Sequence, residues 1–261
     1  MITTQKLLNG KFSLEMHTYG SGGEPLLFMH GAGGLMPVEP FLEDLGKHFK
    51  VYAPQFPGYG DSTGNEYIDD VPDAVLFYHE LMDELGIPTA NIVGHSMGGM
   101  LAAEVAALDV HRAKKLVLVG AAGFWIDENP IPDFFALDLS ELGSYLFHDP
   151  KSAFAQMFLA VPQDMNALAD MYVERVKRLS TASKFLWPIP DRGLKKRAYR
   201  IAAPTLVLWG SSDRLIPPAY AHEFTKHIKH AKIQMIDEAG HMLPYEQHDA
   251  FCKAVTGFLK G

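Results

Sequence analysis

Asn91-Ile92-Val93-Gly94-His95-Ser96-Met97-Gly98-Gly99-Met100 decides the fold. An apolar run of strand length ends in a serine boxed by Gly94 and Gly98, after which the chain turns helical. In this G-x-S-x-G arrangement the serine sits on a sharp strand-to-helix turn that throws its hydroxyl into the open. Small neighbours are required there because side chains would meet crowded backbone. Such a turn implies a strand before it, a helix after it and chemical partners farther down the chain.

Outward from this turn, Asn91 to Val93 is the strand and Met97 to Leu108 the helix, whose Ala102, Ala103, Ala106 and Ala107 let it lie close to a sheet. Upstream, Pro25 to Met29 is a continuous apolar run, as expected of a strand covered on both faces. Glu39 to Phe49 is helical by its spacing of Phe41, Leu42, Leu45 and Phe49, Lys50 to Pro54 is a strand, and Asp70 to Leu85 is a helix closed by Gly86. Lys11 to Tyr19 alternates polar and apolar residues after the turn pair Asn9-Gly10, which predicts a hairpin at the start of the chain. Downstream, Lys115 to Val119 is another buried strand.

The rhythm stops from about Gly123 to Arg200. Met165, Leu168, Tyr172, Val176 and Leu179 recur there at helical spacing, and Pro132, Pro150, Pro162, Pro188 and Pro190 divide the segment, so it reads as a helical insertion. The alternation resumes with a strand at Pro204 to Trp209, a helix at Ala219 to His230, a strand at Ile233 to Ile236 and a last helix from about Tyr245 to Leu259. Strands alternating with helices predict an α/β fold with a doubly wound, mostly parallel eight-stranded sheet.

Composition sets outer limits. The 261 residues are 48% hydrophobic and 21% charged, close to globular averages. No apolar stretch nears the roughly 18 residues that span a bilayer, and Met1 to Glu15 lacks the basic start and apolar block of a signal peptide. A cytoplasmic location with no membrane span is the expectation. A formal charge of -8 works against phosphate backbones, so no nucleic-acid partner is expected. The single cysteine, Cys252, excludes an internal disulfide and reads as a packed thiol. Monomer and dimer stay open.

A serine hydroxyl needs an adjacent base to act as a nucleophile, and a histidine base needs a carboxylate to hold its tautomer. In a doubly wound sheet, loops at the carboxyl ends of the strands share one edge. Asp213 and His241 each follow such a strand, in the chain order Ser96, Asp213, His241. Asp237 and Glu238 precede His241 too closely to reach its ring. The helical histidines 79, 222, 227, 230 and 248 show no metal-ligand clustering, and neither metal nor cofactor is required. His30 reads as bracing its loop, His95 as flanking the serine turn, Asp61 as capping its own loop, and Lys195-Lys196-Arg197 with Arg200 as a solvated face.

Five motifs in order, His30-Gly31-Ala32-Gly33-Gly34, Pro57-Gly58-Tyr59-Gly60-Asp61-Ser62, Gly94-His95-Ser96-Met97-Gly98-Gly99, Trp209-Gly210-Ser211-Ser212-Asp213 and Gly240-His241, make the sequence resemble the α/β-hydrolase family, in its serine-nucleophile, esterase-like branch. The resemblance implies Ser96 as nucleophile, His241 as general base, Asp213 as its orienting acid, and the backbone N–H groups of Ala32 and Met97 as the oxyanion hole. It also implies a core over residues 1–122 and 201–261 with a helical cap over 123–200.

The cap's aromatic and methionine residues, Trp125, Phe158 and Trp187 among them, and Met242 beside the histidine suggest an apolar substrate pocket. The expected function is a serine hydrolase of small to medium hydrophobic carboxylic esters, acting through an acyl-enzyme on a small-molecule substrate. A first alternative is a carbon–carbon bond hydrolase of meta-cleavage-type diketones, with Arg192 or Arg200 holding a substrate carboxylate; Met242 stands where those enzymes tend to carry Trp. A second, of a different class, is a ligand sensor on the same scaffold.

Overall fold

The strand that ends at Ser96 lies inside the sheet with a strand on either side. The computed structural model describes residues 1–261, the side chain of Asn9 excepted. Strands β1 (Ile2–Leu7), β2 (Phe12–Tyr19), β3 (Pro25–Met29), β4 (Lys50–Pro54), β5 (Ala90–His95), β6 (Ala113–Val119), β7 (Thr205–Gly210) and β8 (Ala231–Ile236) form one eight-stranded sheet in the order β1-β2-β4-β3-β5-β6-β7-β8. β2 runs against its neighbours β1 and β4, and the remaining pairs are parallel. The predicted hairpin is there, with Leu7 opposite Phe12. The helices are α1 (Pro40–Gly46), α2 (Val71–Glu84), α3 (Met97–Leu108), α4 (Leu139–Leu146), α5 (Ala153–Phe158), α6 (Met165–Leu186), α7 (Ala219–His227), α8 (Leu243–Glu246) and α9 (His248–Lys260). This is the α/β-hydrolase architecture, with helices on both faces of the sheet.

Two apolar layers follow from the alternation of side chains along the strands. Leu27, Met29, Ile92, Leu116 and Leu118 face α2, α3 and α7, whereas Leu26, Phe28, Val93, Val117 and Val119 face α1 and α9. β5 is buried at every position, as a strand covered on both faces must be. α3 is buried from Met97 to Ala107, which its run of glycine and alanine permits. The chain leaves β3 toward β4 on one side and returns to place β5 on the other. The crevice between the carboxyl ends of β3 and β5 is therefore the switch point where doubly wound sheets bind ligands.

Several local readings change in the structure. The final helix is two, α8 and α9, broken at Gln247; the break leaves the Glu246 carboxylate free to accept from the backbone N–H groups of Gly240 (2.7 Å) and His148 (2.6 Å). Asp61 is exposed and does not cap its loop. Ser62 does so instead, donating to Gln55 O at 2.8 Å and accepting from the Glu15 N–H at 3.0 Å. Cys252 is half-buried, and burial pushes its thiol up to about 12, consistent with a packed, unreactive group.

The basic run is not simply a solvated face. Lys195 and Lys196 are exposed, but Arg197 grips Glu104 of α3 through two bonds, Nε at 2.7 Å and Nη2 at 2.6 Å. Arg200 Nε donates to Ala107 O at 2.8 Å. The Glu104 side chain is 0% exposed, so its charge depends on Arg197. Removing one partner from a buried pair leaves the other uncompensated, at a cost of about 3 kcal/mol or more. Arg197→Ala should lower the urea midpoint by a corresponding amount, and Arg197→Ala combined with Glu104→Gln should recover part of the loss. Equal midpoints for wild type and Arg197→Ala would show that the pair is not a structural tie.

Candidate active site

Ser96 carries φ +56° and ψ -118°, a region seldom occupied by residues other than glycine. Such strain costs about 1 to 3 kcal/mol and persists only where the surroundings over-determine it. Here the Ser96 N–H donates to Val119 O (2.9 Å), while Ser96 O accepts from Met100 N–H (3.2 Å) and Ala122 N–H (3.1 Å). The flanking glycines are required by contact. A Cβ on Gly98 would overlap the Met29 carbonyl, and one on Gly94 would overlap the Gly98 carbonyl.

The hydroxyl projected by this turn meets His241 and Asp213, brought to the same edge from the loops after β8 and β7. Ser96 Oγ lies 2.9 Å from His241 Nε2, and His241 Nδ1 lies 2.8 Å from Asp213 Oδ2. A carboxylate only accepts, so the Nδ1–H donates to Asp213 and Nε2 is left to accept the serine proton. The other oxygen of Asp213 accepts the N–H groups of Leu215 (3.0 Å) and Ile216 (2.8 Å), which fixes the carboxylate. All three residues are buried. Gly120, at the end of β6, packs against this pair; a Cβ there would stand 3.3 Å from both Asp213 Oδ2 and His241 Nδ1.

Two further histidines hold the backbone around this relay. His95 Nε2–H donates to the carbonyl of His241 at 2.8 Å, tying the serine turn to the histidine loop. His30 Nδ1–H donates to Gly31 O (2.7 Å) and its Nε2 accepts the Phe56 N–H (2.9 Å). Burial above all pulls His95 down to about 3 and His30 down to about 4, so both stay neutral at ordinary pH. Beside Ser96, the N–H groups of Ala32 and Met97 find no acceptor among the described residues, although both residues are buried. Buried orphan donors are rare in folded proteins.

A cavity of about 790 Å³ opens over Ser96, and Trp125, Phe158, Trp187 and Met242 all line it. So do Phe134, Phe135 and Met171, whereas Phe124 and Phe147 are fully buried in packing and Met157 and Tyr172 face solvent. Neither Arg192 nor Arg200 reaches the cavity; they bond the carbonyls of Phe185 and Ala107. The arginines that line it are Arg175 and Arg178 on α6, beside Asp170 and Glu174. Positions 170, 174 and 178 share one helical face, a signal present in the sequence but masked by the apolar residues next to it. Tyr245 is a further wall residue, and its hydroxyl donates to the buried Glu39 at 2.7 Å.

Contrary to the reading of the helical histidines, His248 gathers with Asp44 and Cys252, their donor atoms within 4.8 Å of one another. Within this group the Asp44 carboxylate already accepts from Lys47 and His248.

Comparison with known proteins agrees with this fold. A model of the alpha/beta hydrolase fold family matches residues 24–247, a span that contains Ser96, Asp213 and His241. Lipase 3 of Moraxella sp. strain TA144 is 28% identical over 237 residues, covering 84% of this chain and 72% of that protein. The 2-hydroxy-6-oxo-2,4-heptadienoate hydrolase of Pseudomonas putida strain F1 is 26% identical over 275 residues, covering 97% of this chain and 95% of that one. The solved structure of 2-hydroxy-6-oxo-6-phenylhexa-2,4-dienoate hydrolase from Rhodococcus sp. strain RHA1 shares the fold, with TM-score 0.81 and 22% identity over 100% of this chain and 99% of that one. From its five ordered motifs to its sheet topology, the chain belongs to the α/β-hydrolase fold family.

Proposed function

We propose that this hydrolase cleaves small to medium hydrophobic carboxylic esters by way of an acyl-enzyme. The observation that carries the reading is the continuous relay from Ser96 Oγ through His241 to Asp213, at the floor of a cavity walled largely by apolar side chains. His241 Nε2 takes the serine proton as Oγ attacks the ester carbonyl, and Asp213 stabilises the imidazolium that forms. The oxygen that becomes negative is held by the Ala32 and Met97 N–H groups, each such donor being worth about 3 to 4 kcal/mol of barrier. The dipole of α3 points its positive end to the same place. As the intermediate collapses, the proton passes from Nε2 to the departing alcohol, and water enters by the reverse sequence to release the acid. Residues 123–200 act as the cap that chooses the substrate, over a core of residues 1–122 and 201–261.

A second reading, carbon–carbon bond cleavage of a 2-hydroxy-6-oxo-dienoate, is favoured by one observation. Arg178 lines the cavity and donates from Nη1 to Gly33 O at 2.9 Å, which brings a guanidinium to the rim of the oxyanion loop. A substrate carboxylate would find its partner there. Relatives named for such substrates span nearly the whole chain.

Aryl esters of increasing acyl length should be hydrolysed by the wild type and lose activity by about 10⁴-fold or more with Ser96→Ala. Turnover that survives this substitution refutes the serine mechanism. Arg178→Ala separates the two substrate classes. A charge-assisted bond is worth about 1.5 to 3 kcal/mol, so under the second reading KM for a dienoate rises about 10- to 100-fold relative to a neutral ester. Under the ester reading the ratio of the two is unchanged.

A further inference from the structure

Glu39, at the N-terminus of α1, is a fully buried acid that the proposed mechanism does not use. Its carboxylate lies between two elements that flank the relay. Oε1 accepts the N–H of Met36 at 2.7 Å, in the loop that carries Ala32, and Oε2 accepts the hydroxyl of Tyr245 at 2.7 Å, in the helix after His241. Met36 and Tyr245 both line the catalytic cavity. The Tyr245 ring also stacks on Phe154 of α5, with centroids 5.0 Å apart and planes at 11°. One buried group thus joins the oxyanion loop, the histidine-bearing segment and the wall above them.

We infer that Glu39 is a positioning residue, which in its ionised form holds the oxyanion loop and the Tyr245 wall in register with the Ser96–His241 relay. The inference rests on the serine-hydrolase reading. Its chemical basis is that both partners of the carboxylate are donors. When Glu39 takes up a proton on Oε2, the Tyr245 hydroxyl must turn its own proton away, and the Met36 bond loses its charge assistance. A glutamine at this position reproduces that neutral state, with an amide in place of the protonated oxygen.

Glu39 titrates in a useful range because burial raises it to about 7, against the smaller lowering effects of Tyr245 and Met36. The other titratable groups around it are Tyr19 of β2, which feels the charges of both Glu39 and Glu43 of α1, and Tyr245 of α8. Glu246, beside Tyr245, is also raised by burial and bonds Gly240, so it serves as the control. His30 and His95 have already lost any proton at such pH. Activity and stability then move in opposite directions. Ionisation of Glu39 completes the loop contacts, so activity rises with pH through this window. Because the folded-state pKa lies above the unfolded value, the folded chain binds the extra proton between about 4.5 and 7, and stability falls as pH rises through the same window.

The test uses the rate at which a fluorophosphonate labels Ser96, since Oγ displaces fluoride from phosphorus with His241 taking the proton and the oxyanion hole holding the phosphoryl oxygen. Wild type should show an acid limb steeper than one proton. Glu39→Gln should label about tenfold slower at pH 8.5, yet within about twofold of wild type at pH 5.5, with a one-proton limb. Tyr245→Phe removes a bond that holds the carboxyl down and should shift the wild-type limb to higher pH. In melting experiments, the gain of Glu39→Gln over wild type should grow by several degrees from pH 5 to pH 8.5.

A pH-independent ratio of the Glu39→Gln and wild-type labelling rates overturns the inference. So does a melting difference that does not vary with pH, or a Glu246→Gln enzyme that loses the second proton instead. Wild type that fails to label at all overturns the serine reading and the inference with it. Labelling with a flat ratio overturns the inference alone.

Discussion

The structure depends on one backbone constraint, that Ser96 leave the end of β5 at φ +56° and enter α3 in the next residue. A hydroxyl held by backbone is placed more firmly than one held by a rotamer, and the surroundings supply what that turn demands. Gly94 and Gly98 vacate the space that the neighbouring carbonyls occupy. Small residues along α3 let the helix lie in the core, so its N-terminus opens at the sheet edge where Asp213 and His241 arrive. The position of β5 beside β3 puts the serine and the loop of Ala32 on the two sides of the switch point. Had the order of β3 and β4 been exchanged, that loop would lie one strand away.

Around the turn, the buried polar groups divide by whether they change charge. His30 and His95 are kept neutral by burial and spend their ring nitrogens on backbone groups, so they act as rigid struts. Asp213 has its second oxygen occupied by two backbone N–H groups, which leaves it one direction in which to orient His241. In the proposed reaction such a site would lose little freedom, because its dipoles already point where charge would form. The strain at Ser96 is the cost of that arrangement, offset by the carbonyl and amide bonds that surround it.

Much of this was legible in the sequence because it is local. The apolar runs of β3, β5, β6 and β7 read as strands because a sheet covered on both faces needs continuous apolar runs, and the glycines of the turn read as sterically required. The meeting of Ser96, Asp213 and His241 follows from strand ends sharing an edge. What stayed hidden depends on long-range pairing. Nothing near Arg197 announces that Glu104, far back on α3, is buried and needs it. Glu39 looks like an ordinary helix-start acid until Met36 and Tyr245 converge on it. On α6, the apolar residues read at helical spacing are mostly turned outward, Met165, Tyr172 and Val176 being exposed, while the charged positions Asp170, Glu174 and Arg178 line the cavity with Leu179.

The same long-range pairing ties residues 123–200 to the loops around Ser96 and His241. Along α6, Arg178 donates to Gly33 O, Lys177 to Gly60 O at 2.6 Å, and Lys184 to Asn65 O and Ile68 O at 2.8 and 2.6 Å. At the other end, Met242 N–H donates to Leu146 O at 3.0 Å, and Arg214 Nη1 donates to Ser144 O at 3.1 Å. The partners on the core side are largely backbone atoms, so they do not depend on which side chains the core loops carry. The Arg178 bond ends on the Ala32 loop, the Lys177 and Lys184 bonds end on the segment from Gly60 to Ile68, and the Met242 bond ends beside His241. Under the proposed function, a change in residues 123–200 that reshapes the pocket would pull, through the Arg178 and Met242 bonds, on the Ala32 loop and on the segment beside His241, the groups proposed to handle the reacting carbonyl. On that proposal substrate choice and catalytic geometry are coupled through these bonds, and a pocket redesigned by side chain alone inherits whatever shift α6 and α4 impose on the loops beneath them.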